Sequence, residues 1–269
     1  MPAAWLLLAP LMLFIAATYL VPFLGIIQMS VSEPELGLQN YQKALTDPLV
    51  LGVFARTLIF CIGVTILSVT AAYVLTLLWV RGNRITSLVV ELCIMIPLWI
   101  SVLSRAFGWI ALLSNRGMIN TWLLDLGLIA SPLTLVRNEF GVVVGMAHFL
   151  IPFAVFPLAS AIRAVDERVL MAARGMGASR LRIFWQIFVP MTLHGVVGAA
   201  LLVFVLSFGF YITPALLGGG RSVMLAELIY LRIFQIPDWG LAAAISVLLM
   251  LLVGGLLVII IRRTEDMVK

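Results

Sequence analysis

The chain has 269 residues, of which 63% are hydrophobic and 11% charged, and a formal charge of +5. Soluble domains carry roughly 25% charged residues, so this composition excludes an ordinary water-soluble globule and makes lipid the main solvent. Apolar runs of about 20 residues suit helices crossing a hydrocarbon layer of roughly 30 Å, whereas a barrel would show short alternating segments. The expected fold class is an all-α membrane protein.

Six transmembrane helices are predicted, over about 4–29, 54–80, 85–113, 140–163, 193–217 and 239–261, in one domain covering 1–269. The first has no basic stretch before it and is longer than the apolar core of a signal peptide, so it reads as a span. Cys61 and Cys93 fall inside predicted spans and read as small apolar residues. Segment 30–50, with Pro34, Gly37 and Pro48, reads as a loop too short for a domain. Between 114 and 139, Ile119–Leu124 predicts a short helix lying at the interface. Trp109, Trp122 and Trp239 fit one aromatic belt, and Trp79 and Trp185 the other.

The cations set an expected orientation. With the N-terminus inside, Arg81, Arg84, Arg163, Arg168, Arg174, Arg180, Arg182, Arg262, Arg263 and Lys269 are cytoplasmic, ten of the 17 Lys and Arg residues. Lys43, Arg56, Arg105, Arg116, Arg137, Arg221 and Arg232 lie opposite, among most of the acids. The bias places both termini and the polar segment 166–190 in the cytoplasm.

Several chemistries are missing. A phosphate-binding loop needs a lysine after glycine, and neither Lys43 nor Lys269 follows one. His148 and His194 stand alone on different segments, so no zinc site is expected. No nucleophile–base pair is visible, and the basic residues sit at span ends, not on a nucleic-acid-binding domain. The chain is expected to be no enzyme and to carry no cofactor.

Segment 166–190 is the long polar interruption of the C-terminal half. Val165 to Ala173 favours helix, with Asp166 and Glu167 at the end where the dipole favours negative charge. Gly175 and Gly177 allow a tight turn, and Ser179 to Phe188 predicts a second helix that stops at Pro190. Ala172 and Ala173 leave the backbone open to close approach.

This segment resembles the permease subunits of binding-protein-dependent ABC importers, whose pattern is Glu-Ala-Ala, three residues, Gly, nine residues, Ile, one residue, Leu-Pro. Here it reads Met171-Ala172-Ala173, Gly177, then Ile187-Phe188-Val189-Pro190, with every spacing kept. The resemblance implies a cytoplasmic coupling helix between spans four and five that docks on an ATPase subunit. Met171 stands where glutamate is usual and Val189 where leucine is usual; Glu167, one turn earlier, is the candidate replacement carboxylate. Ser104–Trp109, Arg116–Asn120, Gly127–Ile129, Pro132-Leu133, Leu150–Phe153 and Pro214–Gly219 look like the spermidine and putrescine branch, a pattern shared with ferric-iron, opine and phosphonate importers.

The resemblance implies two ATPase subunits carrying ATP and magnesium, a second permease (a heterodimer is favoured) and an extracytoplasmic binding protein, in a bacterial inner membrane. Substrate-path candidates are polar, aromatic or helix-breaking residues within spans: Glu91, Trp99, Tyr211 and Pro214, beside Pro97, Pro152 and Pro157. Glu91 has two readings, pairing with a base near the inner surface or meeting a cationic cargo. Arg105 is expected at a headgroup or a partner, and His148 as a pH-sensitive group. The Gly218–Gly220 turn is expected to enter the cavity or meet the binding protein. A secondary transporter and a non-transporting scaffold are the alternatives from other classes.

Overall fold

The computed structural model describes residues 10–268, with side chains through residue 262. The start of the first predicted span, and the side chains of Arg263 and Lys269, lie outside the described residues. The helices are α1 Pro10–Ser32, α2 Gln39–Thr46, α3 Pro48–Arg81, α4 Arg84–Trp99, α5 Val102–Leu113 and α6 Met118–Asp125. They continue as α7 Glu139–Arg163, α8 Glu167–Gly175, α9 Arg180–Phe208, α10 Ile212–Leu217, α11 Leu225–Phe234 and α12 Trp239–Val268. Among the described residues five helices are long and apolar enough to cross a membrane, or six if the pair around Trp99 counts as one bent span. Large apolar side chains such as Ile59, Ile66, Leu88 and Leu251 lie exposed, as an all-α protein solvated by lipid requires.

The chain divides into two compact units. The first holds the described residues up to 55 and residues 225–258. Segment 30–50 is no plain loop, since α2 forms there, and α11 forms where a loop was expected. Buried Asn40 explains α2: its amide donates to the carbonyls of Ser30 at 3.1 Å and Glu33 at 2.6 Å, tying α2 to the end of α1. Gly240 lets the Glu33 carbonyl approach so closely that a Cβ would sit 2.2 Å from its oxygen. Lys43 and Asp238 form an ion pair at 2.7 Å. α3 begins six residues before its prediction because Asp47 accepts the Leu49 N–H at 2.8 Å and Pro48 suits a first helical turn.

The second unit holds residues 56–224 and the chain end. α7 is its centre, buried from Gly141 to Ile162 at most inward positions, and it continues through Pro152 and Pro157. Small residues let its neighbours close in. A Cβ on Gly195 of α9 would meet the Ala161 methyl at 2.3 Å, and one on Gly145 would meet Leu217 of α10 at 2.4 Å. With no hydrophobic drive in lipid, such close backbone packing holds helices together. Cys61 is buried, but Cys93 is exposed.

Two predicted spans are not continuous. Span 85–113 breaks after Trp99 and turns through 112°. Pro97 contributes no N–H, and Ile100 and Ser101 are extended, so the last carbonyls of α4 lose their helical donors. Span 193–217 breaks at Gly209, after which α10 starts separately. At its other end the expected stop at Pro190 does not occur. A π-helical turn at Phe184–Phe188, closed by Val189 N–H to the Phe184 carbonyl, widens the helix, so that it runs through the proline.

Candidate functional site

The polar segment folds as a capped helix followed by the head of a span. The Asp166 carboxylate accepts the Arg168 N–H at 2.8 Å and starts α8. At the other end Ala178 N–H reaches the Ala173 carbonyl at 3.1 Å and Gly177 N–H the Arg174 carbonyl at 2.9 Å. Those two bonds are a Schellman motif, which needs a left-handed residue, and Gly177 supplies it with φ +83°. Ser179 then caps α9 by accepting the Arg182 N–H at 3.3 Å.

One face of α8 is anchored and the other is free. Leu170 and Ala173 are buried with Ile162, Val165, Ile183 and Phe188, and Tyr73, Leu77 and Ile187 pack on that cluster. Ala172 is exposed, as are Met171 at 57%, Met176 and Leu181. Of the residues singled out from sequence, Ala173 and Ile187 therefore seat the helix, whereas Glu167, Met171, Ala172 and Gly177 face outward. Pro190 is exposed just beyond the π-helical turn. Sequence reasoning missed Met176 and Leu181, whose signal was large apolar residues inside an otherwise polar segment.

Glu167 already has a partner. It forms an ion pair with Arg81 at the end of α3, and the Arg81 guanidinium also lies over the Phe188 ring at 5.6 Å. One cation thus ties α3 to α8 and to the π-helical turn. Farther along α3, the Tyr73 hydroxyl meets that of Thr192 at 2.9 Å. Trp79 is no passive belt residue. Arg163 stacks on its ring at 4.8 Å and its indole N–H donates to Glu91 at 3.4 Å. Glu91 has no ion pair among the described residues and is exposed.

The break after Trp99 is held by Arg105, which is 8% exposed and so is neither a headgroup nor a partner contact. Its Nη2 donates to the carbonyl of Pro97, which also accepts the Ile100 N–H at 3.4 Å, and, at 2.9 Å, to that of Ile100, covering carbonyls that the break leaves short of helical donors. The guanidinium lies 4.9 Å from the centre of the Phe149 ring. Trp109 also points inward, donating to Nδ1 of His148 at 3.0 Å. Trp99, the last residue before the break, is 89% exposed.

Next to this break is a cavity of about 470 Å³ lined by Val102, Phe149, Gly209, Phe210, Tyr211 and Thr213, among others. Phe149 and Phe210 meet edge to face at 5.3 Å. No charged residue lines the cavity, and its aromatic surfaces suit apolar or cationic groups. Tyr211 therefore lies on the cavity, while Pro214 is buried in α10 behind it. Trp99 and Glu91 do not line it.

The chain is 32% identical over 213 residues to the spermidine/putrescine transport system permease protein PotB of Escherichia coli, covering 79% of this chain and 77% of that one. It is 27% identical to the osmoprotective compounds uptake permease protein GgtC of Synechocystis sp., over 94% of this chain and 96% of that one. The fold matches a bacterial ABC transporter involved in import of the acidic polysaccharide alginate, with TM-score 0.77 at 18% identity, over 100% of this chain and 98% of that one. Residues 64–265 match the binding-protein-dependent transport system inner membrane component. The chain belongs to that family, the inner-membrane permease subunits of ABC importers.

Proposed function

We propose that this permease imports polyamines or similar amine-bearing cations, delivered by an extracytoplasmic binding protein and driven by ATP hydrolysed on partner subunits. Residues 1–269 act as one transmembrane domain with both termini in the cytoplasm. It pairs with a second, different permease and rests on two ATPase subunits, which carry the ATP and magnesium. The observation carrying the cargo class is the 32% identity to a spermidine/putrescine permease over most of both chains. The aromatic walls of the cavity at Phe149, Phe210 and Tyr211 accord with an ammonium passing them.

α8 is the coupling helix. Its buried side, Leu170 and Ala173, fixes it to the spans, and its outer side, Met171 and Ala172, meets the ATPase. With Met171 at the first position and Glu167 held by Arg81, docking is apolar at the point where a carboxylate is usual. The ion pair instead joins the docked helix to α3. Trp99 contributes to the path from its exposed position at the break.

A second reading, an osmoprotective solute, is favoured by the GgtC relationship and by the absence of acids from the cavity lining. The test is ATP-dependent uptake by the complete complex in vesicles with its binding protein inside the assay. Labelled spermidine or putrescine should accumulate and compete with one another. Accumulation of an osmoprotectant with no amine uptake would replace the cargo assignment, and no ATP-dependent uptake of any solute would overturn the import reading.

A further inference from the structure

A second cavity of the same unit, about 820 Å³, lies among the end of α5, the stretch before α7 and the Gly219–Arg221 turn. Arg116, Arg137 and Arg221 line it together with Asn115, Thr134 and Asn138, and no acid does. Among the described residues none of the three guanidiniums has a hydrogen-bond or ion-pair partner. Three unpaired like charges around one cavity repel each other, and an anion placed among them removes that cost.

The supports of these arginines are fixed. Arg137 has φ +61°, the one non-glycine residue with positive φ among those described. Such a conformation is strained for a residue that carries a Cβ and persists only when its surroundings hold it. Gly219 leaves room for Arg137 to pack against the turn, because a Cβ there would lie 2.7 Å from the Arg137 Cβ. Asn138, the next residue, caps α7 by accepting the Gly141 N–H at 3.0 Å and donates to the Thr134 carbonyl. The glycine turn is held from α3, where Arg56 donates to the Arg221 carbonyl at 3.3 Å.

The placement points outward. α7 begins at Glu139 beside the cavity and ends at Arg163 just before α8. Its 25 residues span roughly 37 Å, so the cavity and α8 stand at opposite faces of the bilayer. A volume of about 820 Å³ exceeds what one small inorganic anion fills and suits several side chains of a partner. The walls are more polar than apolar, unlike the crevice that a lipid acyl chain would need.

We infer that Arg116, Arg137 and Arg221 form a receptor for carboxylates on an acidic surface of the binding protein. This inference rests on the import reading above. Charge complementarity of this kind sets encounter rate and register more than final affinity.

The experiment titrates cargo-loaded binding protein against the ATPase activity of the reconstituted complex. Stimulation of the wild-type complex tests the import reading by itself; the arginine variants are compared only against that response. Replacing all three arginines by glutamine should raise the half-maximal concentration of binding protein at least about tenfold and flatten its dependence on salt. Arg116→Lys, Arg137→Lys and Arg221→Lys together should recover most of the loss, and size-exclusion elution confirms assembly of each complex. An unchanged half-maximal concentration in the glutamine variant would overturn the inference, as would a wild-type response insensitive to salt. A loss that lysine does not recover, or weakened retention of anionic lipid with binding-protein response intact, would overturn it too.

Discussion

Gly177 gives the sharpest test of α8, because its backbone and its surroundings can be separated. Its φ of +83° is needed for the two bonds that end the helix, yet no heavy atom lies within 4 Å of a Cβ built there. A substitution therefore meets open space, and its cost is conformational. Alanine in a left-handed conformation costs about 1–2 kcal/mol. Asparagine and aspartate adopt it more readily, and a β-branched residue is worst. Aspartate adds a negative charge at a helix C-terminus, worth about 0.3–1 kcal/mol against it. The predicted order of damage is Gly177→Asn, then Asp, then Ala, then Val. Since about 1.4 kcal/mol is a factor of ten, Gly177→Ala should speed hydrogen exchange of the Ala178 amide by roughly tenfold, and Gly177→Val by more. ATPase stimulation by loaded binding protein should fall in the same order while the chain still inserts. If asparagine and valine behave alike, the left-handed turn does not govern the helix; if aspartate is worse than valine, charge does.

Three further outcomes follow from the geometry. Arg105→Met should lower thermal stability in detergent by about 2–4 kcal/mol, because two carbonyls at the break lose a charged donor, partly offset by removal of a buried cation; an unshifted melting curve would mean that packing alone holds the bend. Glu91→Gln should keep the Trp79 bond and leave uptake near wild type if Glu91 is structural, whereas weakened uptake in a normally assembled complex would assign it to the cargo. Burial raises the Asp238 carboxyl pKa, but the Lys43 bond, the Leu241 N–H and the nearby Lys43 and Arg232 charges outweigh it and hold the group below its usual range. Its contribution is therefore complete above the unfolded value of about 3.9 and lost as pH falls through the lower folded one. Protection of the Leu241 amide should drop over that acid range, and Asp238→Asn should remove the pH dependence.

The spans and α8 were legible because apolar length and residue spacing are local. Gly177 could be read directly as a turn and has that place in the structure, whereas Asp166 and Ser179, read only as lying in the first turns of the two helices, prove to be their caps. What could not be read depends on partners distant in sequence. Pro97 suggested a bend, but only Arg105 swinging back eight residues shows how a full break is tolerated in lipid. Pro190 looked like a stop because the wider π-helical turn before it leaves no compositional mark. Asn40 organises α2 through carbonyls ten and seven residues away, so a stretch rich in turn residues became a helix. Arg81 was counted only as an orientation charge until Glu167, 86 positions on, met it.

α3 has 34 residues, a length of roughly 51 Å against about 30 Å of hydrocarbon. Near one end Arg56 grips the glycine turn of the arginine-lined cavity, and at the other Arg81 grips α8. Roughly 37 Å of uninterrupted helix separates those grips. A rod of that kind neither shortens nor folds under modest load, so a push on α8 is felt as displacement at the far turn with little lost on the way. Its stiffness sets how much of a displacement at one grip reaches the other, and a joint placed midway, such as a proline, would leave both grips intact and the linkage slack.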